Sequence, residues 1–191
     1  MELYVFRHGE SVGNRQRLFS GWSQMPLTDK GEEQARALKK RVEGIAFDCA
    51  FSSDLRRAIQ TAQIVLPQVT PTQDPDLREV DVGSLTEKGV DACTEKYGDA
   101  VWHCRTTRDF TYFGGEKSED LCRRAACFLR RVAPLQAERV AVFTHEGLMK
   151  GMLCAVLDAQ IHDLRFRHDN CAYSVFTYQP EKGWQLLKWN V

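Results

Sequence analysis

Three short apolar runs in this chain break off abruptly into polar, chemically reactive residues. LYVF (3–6) meets Arg7-His8, FDCAFS (47–52) meets Ser53-Asp54-Leu55-Arg56-Arg57, and RVAVFT (139–144) meets His145-Glu146-Gly147. Short apolar runs without alternation are what strands buried on both faces require, as in a parallel sheet. Helical periods separate them. After Thr28, a good N-cap, DKGEEQARALKKRVEGI places Ala35, Leu38, Val42 and Ile45 on one stripe, with acids early and lysines late. LRRAIQTAQIVL puts Leu55, Ala58, Ile59, Ala62 and Leu66 on another, with Ser53 or Asp54 expected as its cap. Glu119 to Gln136 reads as a long amphipathic helix, and LMKGMLCAVL as a helix opened by the third tip.

Strands alternating with such helices predict a three-layer α/β/α sandwich around a mostly parallel sheet. Ligands of these sheets bind beyond the carboxyl ends of the strands. All three reactive tips should therefore meet at one edge. Residues 67–116, rich in Pro and Gly, predict loops with one or two short helices, foremost over 87–97. CAYSVFTYQ and GWQLLKWNV, joined by PEKG, predict a C-terminal β-hairpin.

The 191 residues suit one domain over 1–191, with 84–116 as a variable lid or insertion. Lysine plus arginine and aspartate plus glutamate are balanced at 26 each, which argues against nucleic acid or an anionic membrane as partner. Anion binding must then come from a few placed residues. MELYVF is too short and acidic for a secretory signal, and no apolar stretch approaches a membrane span. Seven cysteines without a CxxC pair read as reduced packing residues, so cytoplasm is the expected compartment.

Arg7 offers a rigid fork suited to phosphate or carboxylate, and His8 beside it could be a base, a ligand or a nucleophile. Alone, the pair is compatible with a strand-end histidine bonded to backbone and Arg7 in a surface ion pair. The other tips change that reading. One of Arg56 and Arg57 can point back toward the strand ends, with Asp54 an ordinary surface partner for Arg56, and His145 adds a second imidazole. Two histidines and two arginines around one pocket suit an anion such as a phosphoryl group. A neutral imidazole can attack phosphorus directly, provided an acceptor near Gly9 holds its other N–H. The leaving alkoxide needs a proton, for which Glu79 in LREVDVG, Asp81 and Glu10 all compete.

VFRHGESVGN, LFSGWSQMPLTDKG, SSDLRRAIQTA, LREVDVG, GGEKSEDL and VFTHEG occur in order and together resemble the histidine phosphatase superfamily, the phosphoglycerate mutase-like family. The resemblance implies a metal-independent phosphohistidine mechanism without a cofactor. His8 would be the nucleophile, Arg7, Arg57 and His145 the phosphate pocket, and Glu79 the proton donor. Asn14 would help bind phosphate, with Ser20 and Gly21 at the rim. There are departures. Mutases of the family usually carry HGN and an Arg shortly after, and its small phosphatases HGG, whereas this chain has His145-Glu146-Gly147 with Lys150. Asp81-Val82-Gly83 lacks the aromatics of the α-ribazole phosphatase branch, and the chain lacks room for the usual mutase insertion.

These features favour a phosphoric monoester hydrolase acting on a small phosphorylated metabolite, as monomer or homodimer. A phosphoglycerate mutase and a non-catalytic phospho-ligand binder are the alternatives. Lys96, Trp102, His103, Arg105, Arg108, Phe110, Tyr112 and Phe113 read equally as a substrate-selecting lid or a surface helix with docked aromatics. His162 and His168 read as surface histidines, and Trp184 and Trp189 as packing. Ser52-Ser53 lacks the G-x-S-x-G elbow of a serine hydrolase.

Overall fold

The computed structural model describes residues 1–164 and 166–191; Arg165, within the HDLRFRHD stretch, lies outside the described residues. In chain order the elements are β1 (Glu2–Arg7), α1 (Val12–Arg15), α2 (Asp29–Arg41), β2 (Cys49–Ser52), α3 (Arg56–Val65), β3 (Thr72–Gln73), α4 (Val90–Tyr97) and α5 (Asp99–Thr107). They continue with α6 (Ser118–Val132), β4 (Arg139–Thr144), α7 (Glu146–Leu157), β5 (Tyr173–Gln179) and β6 (Gly183–Lys188).

The strands form one sheet in the order β3-β2-β4-β1-β5-β6. β3, β2, β4 and β1 run parallel, while β5 is antiparallel to β1 and forms the expected hairpin with β6. Alternation within each strand divides the core. Leu3, Val5, Val140 and Val142 face a cluster with Leu121, Phe128 and Leu153 of α6 and α7. Phe6, Ala50, Ala141 and Phe143 face Ala35, Leu38, Ala62 and Val65 of α2 and α3. The result is the three-layer sandwich that the run pattern predicts. Phe6 stacks on Phe143 with ring centroids 4.9 Å apart, tying β1 to β4 near the strand ends.

Thr28 caps α2 as expected, its hydroxyl accepting from the Gly31 amide at 3.0 Å. The expected side-chain cap of α3 is absent. Leu55 holds the N-cap position, because the two candidates are engaged elsewhere. Ser53 is fully buried against His145, and Asp54 pairs with Arg78 rather than Arg56. The 67–116 stretch holds α4 in place of the expected 87–97 helix, α5, three 3₁₀ turns and the two-residue β3. No helix among the described residues is long and apolar enough to cross a membrane.

Candidate active site

The sheet register delivers the site. Arg7 of β1 pairs with Thr144 of β4, and Ser52 of β2 with Phe143. The next residues, His8, His145 and Ser53, therefore emerge side by side beyond three adjacent strand ends. Parallel ladder bonds continue one step further, from the His8 amide to the Thr144 carbonyl and from the Ser53 amide to the Phe143 carbonyl. The two imidazoles end with ring centroids 5.0 Å apart, and both residues are buried.

His8 Nδ1 lies 2.7 Å from the Gly9 carbonyl. A carbonyl only accepts, so Nδ1 carries the proton and Nε2 keeps its lone pair. Arg57 Nε donates to that lone pair at 3.2 Å. Burial is the main force holding the His8 pKa well below that of an ordinary histidine, with the Arg57 and Arg7 charges adding to it. His145 is lowered well below as well, by burial first and then by Arg57 and His8. Its Nε2 meets Ser53 Oγ at 2.9 Å, while Nδ1 has no protein partner. Ser53 Oγ also accepts from the Leu55 amide at 3.3 Å, and His145 Nε2 is the acceptor within reach of its own proton; that pairing places the imidazole proton on Nδ1.

Arg57, in the first turn of α3, is 1% exposed. Its Nη1 donates to the Ser23 carbonyl at 3.0 Å and Nη2 to the Gly21 carbonyl at 2.9 Å. Burial draws this guanidinium down to about 10, Glu79 opposing and Arg7 adding, so it stays cationic at neutral pH. Arg7 is anchored through Nη1 on the His168 carbonyl, while its Nε is buried without a protein partner.

Glu79 lies in an irregular segment, yet it is held firmly. Its carbonyl accepts from Trp22 Nε1 at 2.7 Å and from Arg124 Nη2 at 3.3 Å. Arg124 also binds the Asp76 and Arg78 carbonyls and forks onto Glu116, while Thr144 Oγ1 donates to the Leu77 carbonyl. The Glu79 carboxylate accepts from the Gly147 amide at 3.4 Å, at the positive end of α7. A Cβ on Gly147 would lie 2.0 Å from Glu79 Oε1, so only glycine permits this approach. The competing acids are occupied elsewhere. Glu10 is bound by Lys30 and Thr28, and Asp81 accepts from the Gly83 amide.

Arg7, Asn14, Ser20, Gly21, Glu79, Arg105, Arg108, Phe110 and Glu146 share the lining of one cavity of about 280 Å³. Asn14 closes the α1 capping box on Ser11 through Oδ1. A larger hollow, about 550 Å³, lies at the opposite strand ends around Met1, Asp48 and Glu138, and gathers no comparable donors. Among the described residues, the buried side-chain polar atoms without a protein partner are Arg7 Nε, Ser20 Oγ, Ser23 Oγ and His145 Nδ1. Arg7 and Ser20 line this cavity, Ser23 accepts from Arg57 through its carbonyl, and His145 lies against His8. Unpaired buried polar groups are rare in native proteins, and this cluster suits an oxyanion.

The profile of the histidine phosphatase superfamily (branch 1) matches residues 3–191. The chain belongs to this superfamily. A relative from Methylobacterium radiotolerans, named a 2,3-bisphosphoglycerate-dependent phosphoglycerate mutase, is 33% identical over 179 residues, covering 86% of this chain and 84% of its own. Among solved structures, the α-ribazole phosphatase of Shigella flexneri has a TM-score of 0.86 at 26% identity, covering 100% of this chain and 96% of that one. The mycobacterial glucosyl-3-phosphoglycerate phosphatase has a TM-score of 0.90 at 22% identity, covering 100% and 98%, and shares the fold.

Several participants escaped the sequence reading. Ser53 orients His145, the His168 carbonyl anchors Arg7, and Arg124 suspends the Glu79 segment. Nothing local marks these roles, since each is set by partners 45 to 161 positions away. His168, expected at the surface, is 1% exposed, bonded to Ser174 Oγ at 3.0 Å and packed edge-on against Trp189. His162 is exposed as expected. The 96–113 stretch combines both readings: Arg105, Arg108 and Phe110 line the cavity, whereas Trp102 and Tyr112 are exposed.

Two outcomes follow from this geometry. Replacing Gly147 with Ala should push the Glu79 carboxylate aside and, where that acid serves as proton donor, lower phosphate-ester turnover about tenfold or more. Thermal stability should hold, because alanine is the better helix former. Assays of turnover and melting on the one variant check both halves. Separately, burial pushes His168 down to about 4, so below the ordinary histidine value of about 6.5 the unfolded chain binds the proton that the fold refuses. This stabilising contribution is complete above about pH 6.5 and declines as pH falls toward 4, reaching a loss of about 2 kcal/mol at pH 5. Urea unfolding at pH 7 and pH 5 should show the loss, and His168→Gln should flatten the slope.

Proposed function

We propose that this protein is a metal-independent phosphomonoesterase that hydrolyses a small phosphorylated metabolite in the cytoplasm through a phosphohistidine on His8. The observation that carries this reading is the His8 ring itself. It is neutral, with Nδ1–H tied to the Gly9 carbonyl and the Nε2 lone pair facing Arg57, inside a box of Arg7, Arg57 and His145.

His8 Nε2 attacks phosphorus in line, the P–N bond forms, and the P–O bond to the alcohol breaks. Arg7, Arg57 and the His145 Nδ1–H offset the charge spread over the equatorial oxygens. Glu79 protonates the departing alkoxide. As a carboxylate it then takes a proton from water, whose oxygen attacks the phosphohistidine. The P–N bond breaks, its electron pair returns to Nε2, and inorganic phosphate leaves. Asn14, Ser20 and Gly21 shape the cavity wall on the phosphate side, and the 84–116 segment contributes Arg105 and Arg108 toward the alcohol.

The relative named a bisphosphoglycerate-dependent mutase supports a second reading, in which the phosphoryl group returns to substrate rather than to water. Hydrolysis of p-nitrophenyl phosphate without a bisphosphate primer separates the two. We expect turnover that survives a chelator, an acid-labile phosphoryl label on the protein, and loss of both activity and label in His8→Ala. Primer dependence would favour the mutase, and binding without turnover or label would favour a phospho-ligand binder. Glu79→Gln should slow alkyl esters about 10²-fold or more while largely sparing p-nitrophenyl phosphate, whose leaving group needs little protonation. Equal losses on both would move the proton donor elsewhere.

A further inference from the structure

Glu146 directly follows His145, and its side chain turns toward the cavity rather than away from it. Oε2 lies 3.4 Å from Arg7 Nη1, and Oε1 lies 3.1 Å from Lys150 Nζ and 4.0 Å from Arg108 Nη2. The three cations come from different parts of the fold. Arg7 ends β1, Lys150 stands one turn along α7, and Arg108 follows α5 in a left-handed conformation with φ +62°. Their side chains and that of Glu146 are at most 24% exposed. Burial raises the Glu146 pKa, but Arg7, Lys150 and Arg108 outweigh it and hold the carboxyl below the usual carboxylate range.

Three cations converging beside a phosphoryl pocket form a site for a second anionic group on the substrate. Here the chain's own carboxylate occupies that site. A substrate carboxylate entering it would have to displace Glu146 from its partners, leaving two like charges competing for the same guanidinium and ammonium groups. A hydroxymethyl group makes no such demand, since it can lie beside Glu146 and donate its hydroxyl to the carboxylate while the ion pairs stay in place. Arg105 lines the same cavity and has no ion-pair partner among the described residues. The discrimination is therefore against an anion at the Glu146 position, and not against negative charge on the substrate as such.

We propose that Glu146 is a specificity-determining residue: it fills the second-anion subsite formed by Arg7, Arg108 and Lys150, so the site takes phosphate monoesters without a carboxylate close to the ester carbon. This inference rests on the phosphomonoesterase reading of the same cavity and names its substrate class. Hydroxylated or apolar alcohols are accepted, and phosphoglycerate-type acids are disfavoured.

Glycerol 3-phosphate and 3-phosphoglycerate form a matched pair, differing at one carbon by hydroxymethyl against carboxylate. The test measures kcat/KM and, by calorimetry, Kd for both compounds on the wild-type protein, Glu146→Gly and Glu146→Gln. The wild type should prefer glycerol 3-phosphate. The preference should shift toward 3-phosphoglycerate at least tenfold in Glu146→Gly, which removes both charge and volume, and by less in Glu146→Gln, which removes charge alone. Circular dichroism reports folding, and if the glycine variant fails to fold, the near-isosteric Gln variant decides by the same ratio. A wild-type preference for 3-phosphoglycerate, or ratios unchanged within twofold in the folded variants, would overturn the proposal. If neither these compounds nor p-nitrophenyl phosphate are turned over but the Kd ratios shift as expected, the hydrolytic reading fails and the role of Glu146 stands.

Discussion

A fully buried guanidinium at Arg57 is the constraint on which the rest of this site depends. A charge taken out of water must have its donors satisfied, or it destabilises the fold by several kcal/mol. Arg57 meets that demand with the Ser23 carbonyl, the Gly21 carbonyl and the His8 ring. The loop before α2, the first turn of α3 and the end of β1 are thereby locked into one unit. Gly21 sits at φ +41°, where a Cβ would lie 2.7 Å from Val82 Cγ2, and its carbonyl accepts from Arg57. The bond from Arg57 Nε meets His8 at Nε2, the nitrogen that the Gly9 carbonyl leaves without a proton.

The remaining groups are held by two different means. His8, His145 and Ser53 are placed by the sheet, since the register of β1, β4 and β2 puts consecutive strand ends at one level. Rigid parallel strands do this without help from side chains. Glu79 has no such support, and the protein compensates with the Arg124 fork, the Trp22 indole, Thr144 and the Gly147 amide. Arg124 belongs to α6 and Thr144 to β4, so an irregular segment inherits the rigidity of the core. Glu146 adds a third mode, in which a carboxylate neutralises cations drawn from a strand, a helix and the 84–116 segment.

Much of this was legible in the residues. The apolar runs 3–6 and 139–144, the Thr28 cap and the hairpin read correctly because each rests on local chemistry: a buried run, one side-chain bond, or a short turn. The mutual contact of His8, Arg57 and His145 was legible for a related reason, since each stands at or shortly after a strand end and strand ends in a parallel sheet converge. Where reading failed, the competing partner was distant. Ser53 and Asp54 look like helix caps in sequence, but His145 and Arg78 claim them. His168 looks solvent-facing beside Arg167 and Asp169, yet Ser174 and Trp189 enclose it.

The sequence by itself determined the architecture, the three reactive strand ends and the membership of the histidine phosphatase superfamily, because periodicity and short motifs act over a few residues. Tertiary structure alone decided that the Gly147 amide and Arg124 hold Glu79 at the cavity, what Glu146 binds, and how Arg105 and Arg108 enter the cavity. Those outcomes depend on ion pairs and hydrogen bonds that close across tens of residues. Their energies exist only once the sheet has brought the partners together.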